Sequence, residues 1–294
     1  MPTIGDALTQ ARAALKQALT VDEREAGLEA HILLGRALGK PRAFLLAHRD
    51  DPIDPTTLAD FNALIERRLG GEPIAYILGE REFFGFTLRV TPAVLIPRPD
   101  TELLVELALA LIPEQAACEV LDLGTGSGAV AIAIAKQRLK ARITAIDQSA
   151  EALAVARDNA QRLGASNVHF LQGDWFAPLP PDARFDVIVG NPPYIAEGDA
   201  HLAQGDLRFE PKAALASGAD GLDAIRAIAG RVAQHLTPQG WLLLEHGFEQ
   251  GHACRKVLAE HGLQEVSSHR DLAGLERVTA GRPSRGHGMS GNFT

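Results

Sequence analysis

From residue 117 onward, short apolar runs alternate with amphipathic stretches at a spacing that only a mostly parallel α/β sheet accommodates. Strands are predicted at residues 119–123, 142–147, 167–171, 185–190 and 240–246, and near 263–268 and 276–280. Helices are predicted at 128–138, 149–163, 221–236 and 248–261. In an open sheet of this kind ligands bind beyond the carboxyl ends of the strands, so the residues that follow each run carry the functional information.

One of those ends stands out. The run Phe185-Asp-Val-Ile-Val-Gly190 is followed by Asn191-Pro192-Pro193-Tyr194. Two consecutive prolines fix their own φ angles, offer no N–H and push Asn191 out of the helical region. The Asn191 side-chain oxygen and the Pro192 carbonyl then become fixed acceptors, with the Tyr194 ring beside them. The complement of that cradle is a flat group bearing an NH2, either an amide or an exocyclic amine. A plain proline turn would require neither the Asn nor the aromatic.

The first strand runs into a glycine loop, Glu119-Val-Leu-Asp122-Leu-Gly124-Thr125-Gly126-Ser127-Gly128. Glycines there let a ligand approach the backbone, and the G-x-G-x-G spacing differs from the G-x-G-x-x-G of pyrophosphate-binding loops. Asp147 ends the second strand, where a carboxylate can accept both hydroxyls of a ribose, while Ser149 supplies the cap of the next helix. Asp122 either orients the loop or meets a positive ligand amine. After the third strand, Gly173-Asp174-Trp175-Phe176 places an aromatic that either flanks an adenine ring or packs in the core. A nucleoside with an amino-acid arm and no pyrophosphate describes S-adenosyl-L-methionine (SAM).

Upstream, residues 4–69 read as helices. Ile4, Leu8, Ala11, Leu15 and Leu19 recur at helical spacing, as do Leu28, Ile32 and Leu38 before Gly39. Asp54-Pro55 opens another helix carrying Leu58, Phe61, Leu64, Ile65 and Leu69. Phe83-Phe84-Gly85-Phe86-Thr87-Leu88-Arg89-Val90 reads as a hairpin around a glycine. Leu95-Ile-Pro-Arg-Pro-Asp-Thr-Glu102 reads as a stiff linker by itself, with Asp100 or Thr101 as a cap for the helix at 103–112. The expected organisation is a helical domain at 1–70, a linker with a β-hairpin at 71–99, the α/β domain at 100–280 and a disordered tail at 281–294. With 29 basic and 37 acidic side chains the net charge is −8, which disfavours broad electrostatic binding to nucleic acid or membrane. Two cysteines, Cys118 and Cys254, are too few for a disulfide framework. The first residues form no signal peptide and no apolar run is long enough to span a membrane, so a cytoplasmic protein is expected.

Several passages together resemble the HemK/PrmC family, the peptide-chain-release-factor glutamine methyltransferases. They are Gly71-Glu-Pro-Ile-Ala-Tyr-Ile-Leu-Gly79, Leu95 to Glu102, the glycine loop, Asn191 to Tyr194, Phe209-Glu-Pro211 and Ser217-Gly-Ala-Asp-Gly-Leu-Asp223. The resemblance runs from about residue 28 to 280. It implies a class I SAM-dependent methyltransferase, Rossmann-like, with an N-terminal helical domain and a β-hairpin linker. It further implies that Gly124, Thr125, Gly126, Ser127, Gly128 and Asp147 bind SAM with Trp175 beside the adenine. Asn191 would meet both cofactor and substrate, Pro192, Pro193 and Tyr194 would complete a glutamine pocket, and no metal is called for. The implied partner is a class-1 peptide chain release factor methylated at its Gly-Gly-Gln motif, and the enzyme is expected to be a monomer. Two departures are visible: Asp100 stands where the family carries Glu, and His246 stands where an apolar residue more often precedes the glycine.

Three other readings compete. A nucleic-acid amine methyltransferase, acting for instance on adenine N6, faces the same chemistry, but also needs phosphate contacts and an unstacked base. A nicotinamide-dependent dehydrogenase requires the other glycine spacing. A non-catalytic SAM-binding module has no use for the Asn191 cradle.

Overall fold

The computed structural model describes residues 1–19 and 21–284. It divides into two compact units, Met1–Glu80 and Arg81–Thr294. The division falls later than the residue-70 boundary expected, because Gly71–Gly79 carries a short helix of the first unit. The expected tail divides too: residues 281–283 are strand, and residues 285–294 lie outside the described residues.

The first unit contains helices α1 (Ile4–Ala18), α2 (Glu23–Leu38), α3 (Arg42–Ala47), α4 (Pro55–Leu69) and α5 (Ile74–Leu78). Thr3 and Asp6 form a reciprocal capping box at α1, Asp22 caps α2, and Asp54 caps α4 with Pro55 in its first turn. The buried stripe of α1 is the one expected, Ile4, Leu8, Ala11 and Leu15, with Ala7 added. On α2 the expected stripe gives way: Ala26, Glu29, Ala30, Leu33 and Leu34 are buried while Leu28 is exposed. A charge can sit on that face because Arg68 of α4 grips Glu29 with two hydrogen bonds of 3.0 and 2.9 Å.

In the second unit, strands β1 (Glu80–Phe83) and β2 (Phe86–Arg89) form the expected hairpin. Phe84 and Gly85 both take positive φ, the geometry a tight two-residue hairpin turn demands. There follow α6 (Glu102–Leu111), β3 (Glu119–Leu123), α7 (Ala129–Gln137), β4 (Arg142–Asp147), α8 (Ala150–Leu163), β5 (Val168–Gln172) and β6 (Phe185–Gly190). The chain continues through α9 (Asp223–Val232), β7 (Leu236–Glu245), α10 (Gly251–Glu260), β8 (Leu263–Arg270) and β9 (Glu276–Pro283). The helix expected at 221–236 stops at Val232, since Leu236 already pairs with Phe185 at the start of β7.

Seven strands form one sheet in the order β5-β4-β3-β6-β7-β9-β8. The pairs β4–β5, β3–β4, β3–β6 and β6–β7 are parallel, while β9 runs antiparallel to both β7 and β8. Apolar cores cover both faces. Val120, Ile143 and Val187 pack with α6 and α7 on one side, and Leu121, Ile146 and Ile188 pack with α9 and α10 on the other. Burial on both faces is why these strands read as continuous apolar runs. The hairpin joins the first core through Phe83 and Leu88. Buried Asn159 of α8 clasps it, accepting the Arg89 N–H at 2.7 Å and donating to the Arg89 carbonyl at 2.9 Å.

The chain order reverses between β3 and β6. From β3 the sheet grows outward through β4 and β5, and from β6 through β7. Leu123 pairs with Gly190 at that junction, so the glycine loop and the Asn191 cradle leave the sheet side by side. This is the crevice where open α/β sheets take their ligands. Among the described residues no helix is long and apolar enough to cross a membrane.

Candidate active site

The glycine loop is anchored before any ligand arrives. The N–H groups of Gly124 and Thr125 both donate to the Ile146 carbonyl at 2.9 Å, and Gly128 N–H donates to the Thr125 carbonyl at 2.8 Å. Gly128 sits at φ +83°, where a Cβ would lie 2.9 Å from the Ile132 side chain and 3.3 Å from Ala156. Only glycine permits α7 to start this close to α8. Asp122 is buried beneath the loop and accepts the Thr125 hydroxyl at 2.6 Å. Burial pushes its carboxyl up to about 6, with the Thr125 bond opposing. Asp122 therefore orients the loop, one of the two roles left open by its position, and it also borders the cavity described below.

Asp147 stands at the end of β4 as expected. Its two oxygens each accept one backbone N–H at 2.9 Å, from Gly126 and from Ser149. Each oxygen keeps a further lone pair for a ligand hydroxyl. Trp175 is half-buried, packs its ring over Gly124 and holds a φ of +46°. A non-glycine residue in that region costs about 1–3 kcal/mol and is tolerated where the ring position matters. Trp175 thus packs against the core and also lines the cavity.

At the end of β6, the Asn191 Nδ2 donates to the Thr101 hydroxyl at 3.2 Å, which leaves the amide oxygen as the group free to accept from a ligand. Thr101 ends a single turn of 3₁₀ helix (Pro99–Thr101) and makes no side-chain cap, contrary to expectation; its hydroxyl serves Asn191 instead. Asp100 likewise makes no cap and pairs with Arg277 of β9 at 2.8 Å. Pro192 is buried, and Asn191 and Pro193 line the cavity. The Tyr194 hydroxyl reaches Glu245, the last residue of β7, at 3.4 Å. The Tyr194 carbonyl accepts from Gln250 at 2.9 Å, and Ile195 pairs with Ala216. The cradle is therefore braced from three sides.

The segment read as a stiff linker is a wall of the site. Arg98 forms an ion pair with buried Glu210, which also accepts the Ile96 N–H at 3.0 Å. The Pro-Arg-Pro and Phe-Glu-Pro motifs are thereby partners. The cavity they close occupies about 280 Å³ and runs from Val94 and Arg98 past Gly124–Ser127, Asp147 and Trp175 to Asn191 and Pro193. It brings together Gly124, Thr125, Gly126, Ser127, Asp147, Trp175, Asn191 and Pro193. Gly128, Pro192 and Tyr194 are not among its lining residues, although the segment Pro192 to Tyr194 directly follows Asn191 in the chain.

Sequence reasoning gave no role in the site itself to Arg98, Thr101, Glu210 or Glu245. For the first three, the only signal was membership in a motif. Glu245 could have been found from its place at the carboxyl end of a strand beside β6. The departure at His246 is accommodated locally. Its fully buried ring bonds the Gly247 carbonyl at 2.9 Å and the Thr279 hydroxyl at 2.8 Å, and burial holds its pKa below the ordinary value.

The residues present fit a nucleoside-bearing cofactor. A loop whose glycines leave no side chain toward the cavity faces a carboxylate with free lone pairs and the edge of an indole. A methyltransferase-domain model matches residues 114–262 and a PrmC N-terminal domain model matches residues 6–79. The release factor glutamine methyltransferase of Bordetella pertussis is 56% identical over 254 residues, 86% of this chain and 94% of that protein. The protein of the same name from Vibrio cholerae is 48% identical over 274 residues, 92% of this chain and 94% of its own. In fold alone, the chain resembles a methyltransferase from Pyrococcus furiosus, with a TM-score of 0.51 at 19% identity over 74% of this chain and 96% of that one. With the loop, the cradle and both domain matches in agreement along nearly its whole length, this chain belongs to the release factor glutamine methyltransferase family.

Proposed function

We propose that the protein transfers a methyl group from SAM to the side-chain amide nitrogen of the glutamine in the Gly-Gly-Gln motif of class-1 peptide chain release factors. The observation that carries this reading is the Asn191 amide. Held by Thr101 through its nitrogen, it lines the cavity with its oxygen left to accept, one strand away from the glycine loop. SAM supplies a methyl group on a sulfonium, an electrophile that needs no further activation. Gly124 to Gly128, Asp147 and Trp175 would hold it, Asp147 through the ribose hydroxyls.

An amide nitrogen is a poor nucleophile because its lone pair is delocalised into the carbonyl. Asn191 Oδ1 and the Pro192 carbonyl accept its two N–H bonds, fix its orientation and favour the positive charge that grows on it. Pro193 and Tyr194 wall the pocket. The amide needs no strong base before attack, since its proton becomes acidic as the new bond forms. The helical unit at the N-terminus is proposed to read the release factor, because a pocket for one planar amide cannot choose among surface glutamines. The enzyme is further proposed to act as a cytoplasmic monomer without direct nucleic-acid or membrane contact, in keeping with its net charge of −8.

The test is incubation with isotopically methyl-labelled SAM and purified release factor, followed by peptide mass spectrometry. Label on the Gly-Gly-Gln glutamine is expected. Label appearing instead on nuclease-sensitive material from a lysate would favour the adenine-type reading.

A further inference from the structure

Behind the cradle lies a buried acid that the reaction as described does not use. Glu245 is 2% exposed, and among the described residues its Oε2 has no hydrogen-bond partner. Its Oε1 takes the Tyr194 hydroxyl, and the Thr101 hydroxyl faces the same carboxyl. Thr101 in turn takes the Asn191 amide nitrogen. The carboxyl thus stands at the back of both halves of the cradle.

We propose that Glu245 is a positioning residue whose carboxylate sets the direction of the hydrogen bonds running through Thr101 to Asn191, so that Asn191 presents its oxygen to the acceptor amide. This rests on the function proposed above. An ionised carboxylate can only accept. Thr101 then points its hydrogen at Glu245 and keeps its lone pairs for the Asn191 NH2, and the bond from that NH2 to Thr101 is the one observed. Once protonated, the carboxyl donates to Thr101 and frees the threonine hydrogen for the Asn191 oxygen. The Asn amide then turns its NH2 to the substrate, and two donors oppose each other.

The surroundings place this exchange in an accessible range. Burial raises the Glu245 carboxyl to about 7; the Thr101 hydroxyl, the Tyr194 hydroxyl and the Arg277 guanidinium pull it down, and Asp100 pushes it up. Ionisation is therefore the activating step, and turnover should rise with pH through neutrality.

The experiment compares the full-length parent with Glu245→Gln and Thr101→Val. For Glu245→Gln, kcat on release factor should fall about 10–100-fold with the KM for SAM changed by less than about threefold, the range seen when a partner orienting a functional side chain is lost. The rising limb of the pH profile should vanish. Thr101→Val should show the same loss, which keeps the idea testable if the first variant folds poorly. A readout independent of substrate is the side-chain NH2 resonance of Asn191, assigned by its absence in Asn191→Ala. It should titrate near neutrality in the parent and stay flat in Glu245→Gln. Parental kcat and pH limb in Glu245→Gln, full activity in Thr101→Val, or an Asn191 resonance indifferent to pH in the parent would each overturn the relay. Should the parent leave release factor unlabelled, the proposed function fails while the resonance still decides the relay.

Discussion

Arg98 and Glu210 form an ion pair in which the carboxylate is fully buried and the guanidinium is one-third exposed at the edge of the cavity. Burial raises the Glu210 carboxyl, and Arg98 opposes that rise. Removing the acid would leave the Arg98 charge and the Ile96 N–H without their acceptor. Glu210→Ala should cost about 2–3 kcal/mol, below the ~3–5 of a fully buried pair because Arg98 still reaches water. Since Pro97, Arg98, Pro211 and Ala213 line the cavity, SAM affinity should fall with it. Urea denaturation and titration calorimetry measure the two effects separately.

Asp147 tests the cofactor assignment. Its oxygens already order Gly126 and Ser149, so Asp147→Ala loosens the loop and removes the ribose acceptor together. Asp147→Asn keeps one acceptor. Calorimetry should show SAM binding weakened more by Ala than by Asn, and parental affinity in both would end the ribose assignment.

Asn191→Ala removes an acceptor from the site where charge develops, so turnover should drop about 10²–10³-fold with a smaller loss of SAM affinity. Tyr194→Phe should be mild and Tyr194→Ala severe if the ring walls the amide. Single-turnover rates on release factor separate these variants, and the reverse order for Tyr194 would assign the work to its hydroxyl.

Stability should fall as pH rises through the window set by Glu245. Its carboxyl is at about 7 in the folded protein against an ordinary 4.5, so between those values the folded state keeps a proton that the unfolded chain has released. The destabilisation is absent below the lower value and complete above the upper one, at most about 3 kcal/mol. Asp122, raised to about 6, adds in the same sense. Glu245→Gln should therefore gain on the parent in melting temperature as pH increases from about 4.5 to 8. A constant difference across that range would show that the carboxyl ionises normally.

Deleting residues 1–80 removes a unit with its own apolar core. SAM binding should survive, since every cavity residue lies beyond it. Methylation of intact release factor should collapse, while a short Gly-Gly-Gln peptide should be a poor substrate for both forms. Equal activity of a folded truncation on intact factor would move recognition to the loops at 195–220.

The chemistry-bearing segments were legible because each is written locally. A strand followed by G-x-G-x-G needs only a few consecutive residues to declare itself, and so does Asn-Pro-Pro-Tyr, whose stiffness is intrinsic to proline. The parallel sheet was equally plain, since strands buried on both faces must be apolar throughout. Spacing could not show what meets what. Thr101 looked like a helix cap until the fold put Asn191, 90 residues on, against its hydroxyl. Arg98 looked like part of a linker until Glu210, 112 residues away, closed on it. Leu28 fitted a buried stripe that Glu29 took, once Arg68 was there to pair with it. Sequence determined which groups this protein has for its chemistry; tertiary structure decided their partners. A hydrogen bond depends on distance and direction in space, and neither is encoded by separation along the chain.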